Sequence, residues 1–291
     1  MGLPRNYSRR LRSSSISTPS VSAPKSVAPK LTQFPKYVEK KRIEQLKSLD
    51  ALMKESQNKE EYLRKIQSIS PTKIKLIEIR TRDQSSNALW FIYRKHVISA
   101  SIVYRIYHAS LKRNDDFKIL ALIAKTSHIP TSLPALQWGV DHEDEALCAY
   151  QQKKQLHDPL FKIKKMGLVL DPSFAAWAGS PDGIGIGGDG SRRALEAKCP
   201  FSFRDRSLVE EGVERLQYLS HGPELKKKHI YYYQVQTVMG ILKLEHCDFI
   251  VWCPTDMLVM EIKFDPEFYK RIRAACIGYY QDIYLEHIFK A

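Results

Sequence analysis

Long segments with apolar residues at helical spacing alternate along this chain with shorter apolar runs of strand length. A helix repeats its buried face every three or four residues and a strand every second residue, so the two kinds of segment can be told apart. The predicted helices are residues 39–68, two helices within 88–111, and residues 136–155, 226–243 and 266–287. The predicted strands are residues 162–170, 174–186, 193–199, 247–253 and 257–264.

The strands lie in the middle of the folded part, with helices before and after them. This order predicts an α/β fold with a central mixed β-sheet flanked by helices. The glycine-rich residues 183–190 are expected to connect two strands as a hairpin. We therefore expect one folded domain over 81–291, preceded by a charged helical extension over 39–80 and a disordered tail over 1–38.

Basic residues are concentrated towards the N-terminus. The 291 residues include 46 Lys and Arg against 32 Asp and Glu, a formal net charge of +14. Residues 1–38 contain seven basic residues and no acidic one, whereas residues 81–291 are nearly balanced at +3. A tail rich in Ser, Pro and Arg cannot bury enough apolar surface to fold alone. It fits a mitochondrial transit peptide or a basic nuclear tail, and its acid-free composition leans towards the first.

Composition narrows the class of protein. Hydrophobic residues make up 43% of the chain, which excludes a wholly disordered or collagen-like protein. No apolar run reaches the roughly 18 residues that span a bilayer, so no membrane partner is expected. The five cysteines form no CxxC pair, and their odd number favours free thiols in an intracellular, reducing compartment.

Asp182, Glu196 and Lys198 give the clearest chemical signal. Glu196 and Lys198 are two residues apart on a predicted strand, so they point to the same face, and Asp182 lies on the preceding hairpin arm. Two carboxylates and a lysine on one sheet face are costly unless they bind something. Carboxylates hold oxygen-preferring divalent cations such as Mg²⁺. A lysine beside the cation would position or deprotonate a water, which suits phosphodiester hydrolysis.

The surrounding residues resemble the phage lambda exonuclease and YqaJ-like viral recombinase family of PD-(D/E)XK nucleases. The Asp-X(n)-Glu-X-Lys signature is weak alone, but SPDG and LEAKCP around it are similar to the family's own motifs. Residues 90–101 resemble its W…R…ITAS helix and turn, residues 139–146 its G…E..A helix, and residues 233–236 its QxQ helix. The resemblance covers about residues 88–264 and implies a restriction-endonuclease-like fold.

The resemblance also implies a role for each matching residue. Four oxygen donors would hold magnesium, or manganese: the side chains of Glu143, Asp182 and Glu196 and the backbone carbonyl of Ala197. Lys198 would act on the attacking water. Gln236, with Gln234 as an accessory residue, would hold the lysine or a water on the metal.

A second group of residues matches family positions that grip the 5′-terminal phosphate of DNA. It consists of Arg94, Ser101, Ser180 and Arg204. A guanidinium and hydroxyls suit this task, because phosphate binds bidentate and charge-assisted donors. Trp90 would pack against DNA or against the core. A phosphate pocket ahead of the metal implies 5′→3′ movement and mononucleotide products.

Some of these residues also have simpler explanations. Glu143 lies among other acids of its helix and could belong to a solvated face, with Asp141 or Glu145 as the ligand instead. The arginines and glutamines could be ordinary polar residues of the surface. The hairpin between Asp182 and Glu196 is longer than in the phage enzyme, and the first 80 residues have no counterpart there. The ring-shaped trimer of the phage enzyme is therefore in doubt for this chain.

We thus predict a Mg²⁺-dependent DNA exonuclease that digests one strand of linear duplex DNA 5′→3′ and leaves 3′ overhangs for recombination or repair. Its partners would be DNA ends, a single-strand annealing or recombinase protein, and further copies of itself if it forms a homo-oligomer. Two alternatives stay open. One is a single-strand or flap nuclease of the same superfamily in mitochondrial DNA maintenance, and the other is a catalytically silent DNA-binding relic of a mobile element.

Overall fold

The computed structural model describes residues 46–125, 133–211, 215–220 and 224–290. The tail predicted over 1–38 and the beginning of the charged extension lie outside these residues. Helices and two mixed β-sheets build the described part, which confirms the predicted α/β class. None of the described helices is long and apolar enough to cross a membrane.

Three short helices form the described part of the extension: α1 (Leu49–Lys54), α2 (Lys59–Gln67) and α3 (Pro71–Arg80). The prediction of one helix over 39–68 was wrong in its described part, because the helix is interrupted before Asn58. The side-chain oxygen of Asn58 accepts a hydrogen bond from the backbone N–H of Glu61 at 2.9 Å. An asparagine that caps an exposed N–H group in this way stabilises the start of a new helix.

The remaining helices follow the predicted order with two additions. They are α4 (Ala88–Tyr93), α5 (Val103–Lys112), α6 (Phe117–Ala124), α7 (Pro134–Gln155), α8 (Leu208–Glu211), α9 (Ile230–Leu242), α10 (Pro266–Tyr279) and α11 (Leu285–Lys290). A π-helical segment, Tyr280–Tyr284, joins α10 to α11. The helices α6 and α8 lie where the sequence pattern predicted none.

Eight strands in the described residues form two sheets. The strands are β1 (Ile98–Ser99), β2 (Lys162–Lys164), β3 (Val169–Asp171), β4 (Phe174–Gly179), β5 (Gly183–Ile186), β6 (Arg192–Lys198), β7 (His246–Trp252) and β8 (Met257–Lys263). The smaller sheet has the order β1-β4-β3, and the larger one has the order β2-β5-β6-β7-β8. In the larger sheet β6 and β7 are parallel and the other pairs antiparallel. The strand predicted over 162–170 is therefore divided between two sheets, as β2 and β3.

A short turn, Ser180-Pro181-Asp182, carries the chain from β4 in the smaller sheet to β5 in the larger one. It interrupts the continuous strand predicted over 174–186. The side-chain amide of Gln84 donates to the Pro181 carbonyl at 2.9 Å, and the Asp182 N–H donates to the Leu195 carbonyl at 3.2 Å. These bonds fix the turn at the boundary between the two sheets.

The glycine-rich connection between β5 and β6 is the predicted hairpin. Gly190 adopts a positive φ of 83°, a conformation that suits a residue without a side chain. The N–H of Gly188 donates to the carboxylate of Asp158 at 2.8 Å. The extended hairpin is therefore anchored to the loop that follows α7.

Helices cover both faces of the larger sheet, with α7 on one face and α9 on the other. The burial of alternate residues of β6 shows this arrangement. Leu195 and Ala197 are buried in a small cluster with residues of α7, whereas Ala194 belongs to the main core with residues of α9. Successive side chains of a strand point to opposite faces. Glu196 and Lys198 therefore point to the α9 face.

The helical extension is part of the same core. Tyr62 of α2 is buried, and its hydroxyl lies 3.0 Å from that of Tyr280. The His96 ring, which follows α4, has its Nδ1 atom 2.5 Å from the Tyr284 hydroxyl and its Nε2 atom 3.1 Å from an Asp50 oxygen. Polar contacts thus join the extension, α4 and the C-terminal helices.

Candidate active site

Three carboxylates from three elements lie close enough for their charges to affect one another. We call them the carboxylate cluster: Glu143 of α7, Asp182 of the turn before β5, and Glu196 of β6. Asp182 accepts a hydrogen bond from the Ala197 N–H at 2.7 Å, so the hairpin itself orients this carboxylate. Glu196 is only 2% exposed. Each of the three carboxylates is thus placed by a different part of the fold.

Lys198 is the cation of this group. Its ammonium donates to Glu196 Oε1 at 2.5 Å and to the Ala197 carbonyl at 3.0 Å. The Nζ atom also lies 5.0 Å from the centre of the Tyr231 ring, within the range of a cation–π contact. Gln234 of α9 donates its side-chain amide to the same Glu196 oxygen. Glu196 and Lys198 therefore share one face of β6, as the spacing predicts.

One lysine does not compensate three carboxylates. Burial, together with the nearby Asp182, raises the pKa of Glu143 to about 8 and that of Glu196 to about 7. Burial also raises the pKa of Asp182. Burial alone would lower the pKa of Lys198, but Glu196 and Asp182 more than offset it and raise this pKa. Without a further cation the three carboxyl groups are therefore hard to ionise near neutral pH, whereas the lysine stays protonated.

The second oxygen of Glu196 is buried and has no hydrogen-bond partner among the described residues. A buried, unpaired carboxylate oxygen is costly and is normally satisfied by a donor or a cation. Carboxylates and a backbone carbonyl are the hard oxygen ligands that Mg²⁺ and Mn²⁺ prefer. No group of three or more His, Cys, Asp or Glu side chains in the described ranges is already arranged as a metal site. The residue types and the charge imbalance fit a divalent cation, although the ligands are not pre-assembled.

The structure distinguishes Glu143 from its acidic neighbours. Asp141 and Glu145 are exposed on α7, and Asp141 accepts a hydrogen bond from Gln137 at 2.7 Å. Glu143 is partly buried, and the charges of both Asp182 and Glu196 raise its pKa. The geometry therefore favours Glu143 over Asp141 and Glu145 as the ligand from α7.

Gln236 is directed away from the carboxylates. It is fully buried, its amide donates to the Lys263 carbonyl at 2.8 Å, and its oxygen accepts from the Asp265 N–H at 2.8 Å. Residues two apart on a helix face nearly opposite sides. Gln236 thus joins α9 to the end of β8, and Gln234 is the glutamine that contacts Glu196. Of the two glutamines, only Gln234 contacts the carboxylate cluster among the described residues, and the catalytic role of Gln236 stays a prediction.

A second polar group lies beside the turn. The Arg94 guanidinium has Nη2 3.3 Å from the hydroxyl oxygens of both Ser99 and Ser101. Its central carbon lies 3.7 Å from the centre of the Trp90 ring, and the Trp90 indole N–H donates to the Ser180 hydroxyl at 3.0 Å. We call these five residues the Arg94 cluster. Trp90 thus supports the arginine and links it to the turn.

The Arg94 cluster offers donors to an anion. Burial lowers the pKa of Arg94 to about 10, and its buried Nε atom has no partner among the described residues. A guanidinium surrounded by hydroxyl groups is suited to phosphate. Arg94, Ser101 and Ser180, three of the four residues predicted to grip a phosphate, therefore lie in one group.

Arg204 is placed differently from the other three. Its guanidinium pairs with Asp205 at 3.0 Å and donates to the Phe201 carbonyl at 3.2 Å. No contact between described residues joins it to the Arg94 cluster. Its role in phosphate binding stays a prediction.

Lys125 is a functional candidate that the sequence pattern did not indicate. It follows α6 in a left-handed conformation, with φ of 56°, and its Nζ lies 3.4 Å from the Ser99 hydroxyl. A lysine after an apolar helix is a common helix end, so the sequence offered no signal for a site. The fold adds this second cation to the Arg94 cluster.

Sequence and structure comparisons identify proteins that are similar to this chain. The sequence pattern of the YqaJ-like viral recombinase domain matches residues 89–245. The alkaline nuclease of human herpesvirus 7 (strain JI) is 30% identical over 155 residues, which are 51% of this chain and 26% of that protein. The chain therefore spans about a quarter of the length of this relative.

Two solved structures show the same fold. The alkaline exonuclease from Laribacter hongkongensis has a TM-score of 0.52 and 22% identity over 69% of this chain and 93% of its own. The shutoff and exonuclease protein from Kaposi's sarcoma-associated herpesvirus has a TM-score of 0.50 and 12% identity, over 75% of this chain and 73% of its own. The sequence match covers more than half of the chain and includes Asp182, Glu196 and Lys198. This chain belongs to the YqaJ-like viral recombinase domain family.

Proposed function

We propose that this protein is a metal-dependent deoxyribonuclease that digests one strand of linear duplex DNA from its 5′ end and leaves a 3′ overhang. One observation carries this proposal. The Ser180-Pro181-Asp182 turn joins the Arg94 cluster, through Ser180, to the carboxylate cluster, through Asp182. A site for a terminal phosphate thus lies two residues from a site for phosphodiester hydrolysis.

The carboxylate cluster supplies the hydrolytic chemistry. Glu143, Asp182, Glu196 and the carbonyl of Ala197 would hold a magnesium ion, which supplies Lewis acidity and makes a bound water a stronger nucleophile. Lys198 donates to two of these proposed ligands, so it fixes their positions. Glu196 and Asp182 raise the pKa of Lys198 in the metal-free protein, and as an ammonium it would orient the water and stabilise negative charge.

The Arg94 cluster supports the proposed polarity. Arg94 would anchor the 5′-terminal phosphate with its guanidinium, while Ser101 and Ser180 would add hydroxyl donors. A strand held by this end presents its next phosphodiester towards Asp182. The 3′ overhang left on the other strand is a substrate for a single-strand annealing protein, which we propose as a partner. The relatives named as alkaline nucleases and exonucleases support nucleic acid as the substrate.

End-labelled linear duplex DNA with Mg²⁺ tests the hydrolytic site. We expect wild-type protein to release label from the 5′ end, and Lys198→Ala to lose activity by about 100-fold or more, because a charge-stabilising donor is removed. Lys162→Ala is the matched control, since Lys162 is exposed on β2. Wild-type protein that binds linear DNA and leaves it intact with Mg²⁺ would identify a silent DNA-binding protein instead.

Arg94→Ala separates end-directed digestion from internal cutting. We expect this variant to lose digestion of 5′-phosphorylated duplex ends far more than any cutting of circular single-stranded DNA, which has no end to anchor. Lys95→Ala, at the exposed neighbouring position, should behave as wild type. Equal losses on both substrates would favour a single-strand or flap nuclease.

A further inference from the structure

Arg94 and Lys125 approach the same hydroxyl group. Arg94 Nη2 lies 3.3 Å and Lys125 Nζ 3.4 Å from the Ser99 oxygen. The two cations come from the end of α4 and the end of α6, and the Ser99 and Ser101 hydroxyls lie 3.3 Å apart. Three separate pieces of the fold thus converge on one small polar site.

Among the described residues, no carboxylate balances Arg94 and Lys125. The Arg94 contacts are hydroxyls and the Trp90 ring, and the described charges that act on Lys125 are the cations Arg94 and Arg105. Residues 126–132, which follow directly, contain no Asp or Glu. The buried and unpaired Nε atom of Arg94 is a further donor without an acceptor. A buried arginine and lysine placed side by side, with no counter-ion among the described residues, indicate a binding site for an anion, which would favour the charged form of both.

We infer that Lys125 is, with Arg94, one of two cationic ligands of the terminal phosphate, and that the pair selects a dianionic phosphate monoester over a monoanionic diester or a 5′-hydroxyl end. This inference rests on the proposed function and adds Lys125 to its phosphate site. A terminal phosphate monoester carries close to two negative charges above pH 7, because its second pKa is near 6. A phosphodiester within a strand carries one. Two cations therefore neutralise the monoester, whereas a diester would leave one of the two positive charges unbalanced.

Binding should also change the protonation of Lys125. Burial, with Arg94 and Arg105 nearby, lowers its pKa to about 7, so it is largely neutral at pH 8 while the site is empty. A dianion beside it favours the charged form and raises this pKa, so the lysine takes up a proton as the phosphate binds. Arg94 stays charged at this pH, because its pKa of about 10 lies well above it.

Calorimetry without metal tests the inference apart from hydrolysis. The probe is a short single-stranded oligonucleotide with a 5′-phosphate or a 5′-hydroxyl, titrated at pH 8 with EDTA in two buffers of different ionisation enthalpy. Wild-type protein should prefer the phosphorylated probe by about tenfold or more and take up roughly one proton per bound strand. Lys118→Met, at an exposed position of the same helix, is the matched control and should match the wild type in both.

Two variants of Lys125 separate charge from packing. Lys125→Met should lose most of the preference for the 5′-phosphate and all of the proton uptake. Lys125→Arg should retain the preference without proton uptake, because arginine is already charged at pH 8. A Lys125→Met variant that keeps the preference and the proton uptake overturns the inference, and so does a wild type that binds both probes equally. If circular dichroism shows that Lys125→Met is unfolded, the proton uptake of Lys125→Arg is measured instead. Uptake by Lys125→Arg equal to that of wild type overturns the inference.

Different results would refute the role of Lys125 and the proposed nuclease activity. Digestion of linear duplex by wild-type protein, with the 5′-phosphate preference unchanged in Lys125→Met, retains the nuclease and removes the role of Lys125. Preferential binding of the phosphorylated probe without any digestion in Mg²⁺ retains the phosphate site and removes the nuclease.

Discussion

Replacing Glu143 with glutamine should make the metal-free protein more stable at alkaline pH. The side chain keeps its size and loses its charge, and no hydrogen bond from Glu143 to a described residue has to be broken. Burial and the charge of Asp182 oppose its ionisation in the folded state and raise its pKa. The unfolded chain ionises without this cost. The variant therefore removes an unfavourable charge from the folded state alone.

The size of the effect follows from the change in pKa. A rise from 4.5 to about 8 corresponds to about 5 kcal/mol when both states are ionised. Glu143 is only partly buried, so solvent screening reduces this to about 2–3 kcal/mol. Because its folded-state pKa is raised, Glu143 contributes no destabilisation below pH 4.5. The destabilisation grows as the pH rises to about 8 and is complete above it.

Urea unfolding in EDTA between pH 4.5 and pH 9 measures the predicted gap. The free energy of unfolding of Glu143→Gln should exceed that of wild type by about 2–3 kcal/mol at pH 9, and the gap should close at pH 4.5. Glu145→Gln, at an exposed position of the same helix, should show no such gap. Added Mg²⁺ should stabilise wild type more than Glu143→Gln, because a bound ligand stabilises the state that holds it. A gap that is absent, or equal at every pH, would refute the electrostatic account.

Two further pairs of variants test positions by comparison. Gln234→Ala should lower digestion by about tenfold or more, because it removes a donor from Glu196, and leave unfolding nearly unchanged. Gln236→Ala should lower the free energy of unfolding by about 1–3 kcal/mol in urea titrations, since it removes a buried side chain and its two hydrogen bonds to backbone groups. Gly167→Ala would bring a Cβ atom to 2.1 Å from the Glu78 carbonyl, so it should destabilise by about 1–3 kcal/mol. Gly139→Ala meets nothing within 4 Å and should stabilise α7 by about 0.5–1 kcal/mol. The opposite result within either pair would contradict the assigned positions.

Local patterns predicted the residues whose geometry depends on near neighbours. The side chains of Glu196 and Lys198 share a face because strand periodicity is insensitive to the rest of the fold. Arg94, Ser101 and Ser180 were found by resemblance, and the structure brings them together. The helix, strand and helix order was likewise readable from apolar spacing.

Features that depend on contacts between residues far apart in the chain could not be predicted from the sequence. Nothing in the residues around Lys125 indicates that Ser99 and Arg94 will be its neighbours. The choice between Gln234 and Gln236 depends on where the end of β8 packs against α9, and apolar spacing does not report this. The break before Asn58 was readable in principle, since Asn is a strong helix cap, but the charged stretch on both sides concealed it.

The turn at Ser180-Pro181-Asp182 also sets a length. Two peptide units span at most about 7 Å, so Ser180 and Asp182 cannot drift apart. The bonds from Gln84 and to Leu195 fix the turn where the two sheets meet. If a strand end is held on the Ser180 side, as proposed, the fixed length of this turn would limit each cleavage to about one nucleotide. The size of the released product would then depend on the backbone at this boundary. A residue inserted into the turn should change the product size while the Arg94 cluster and the carboxylate cluster stay intact.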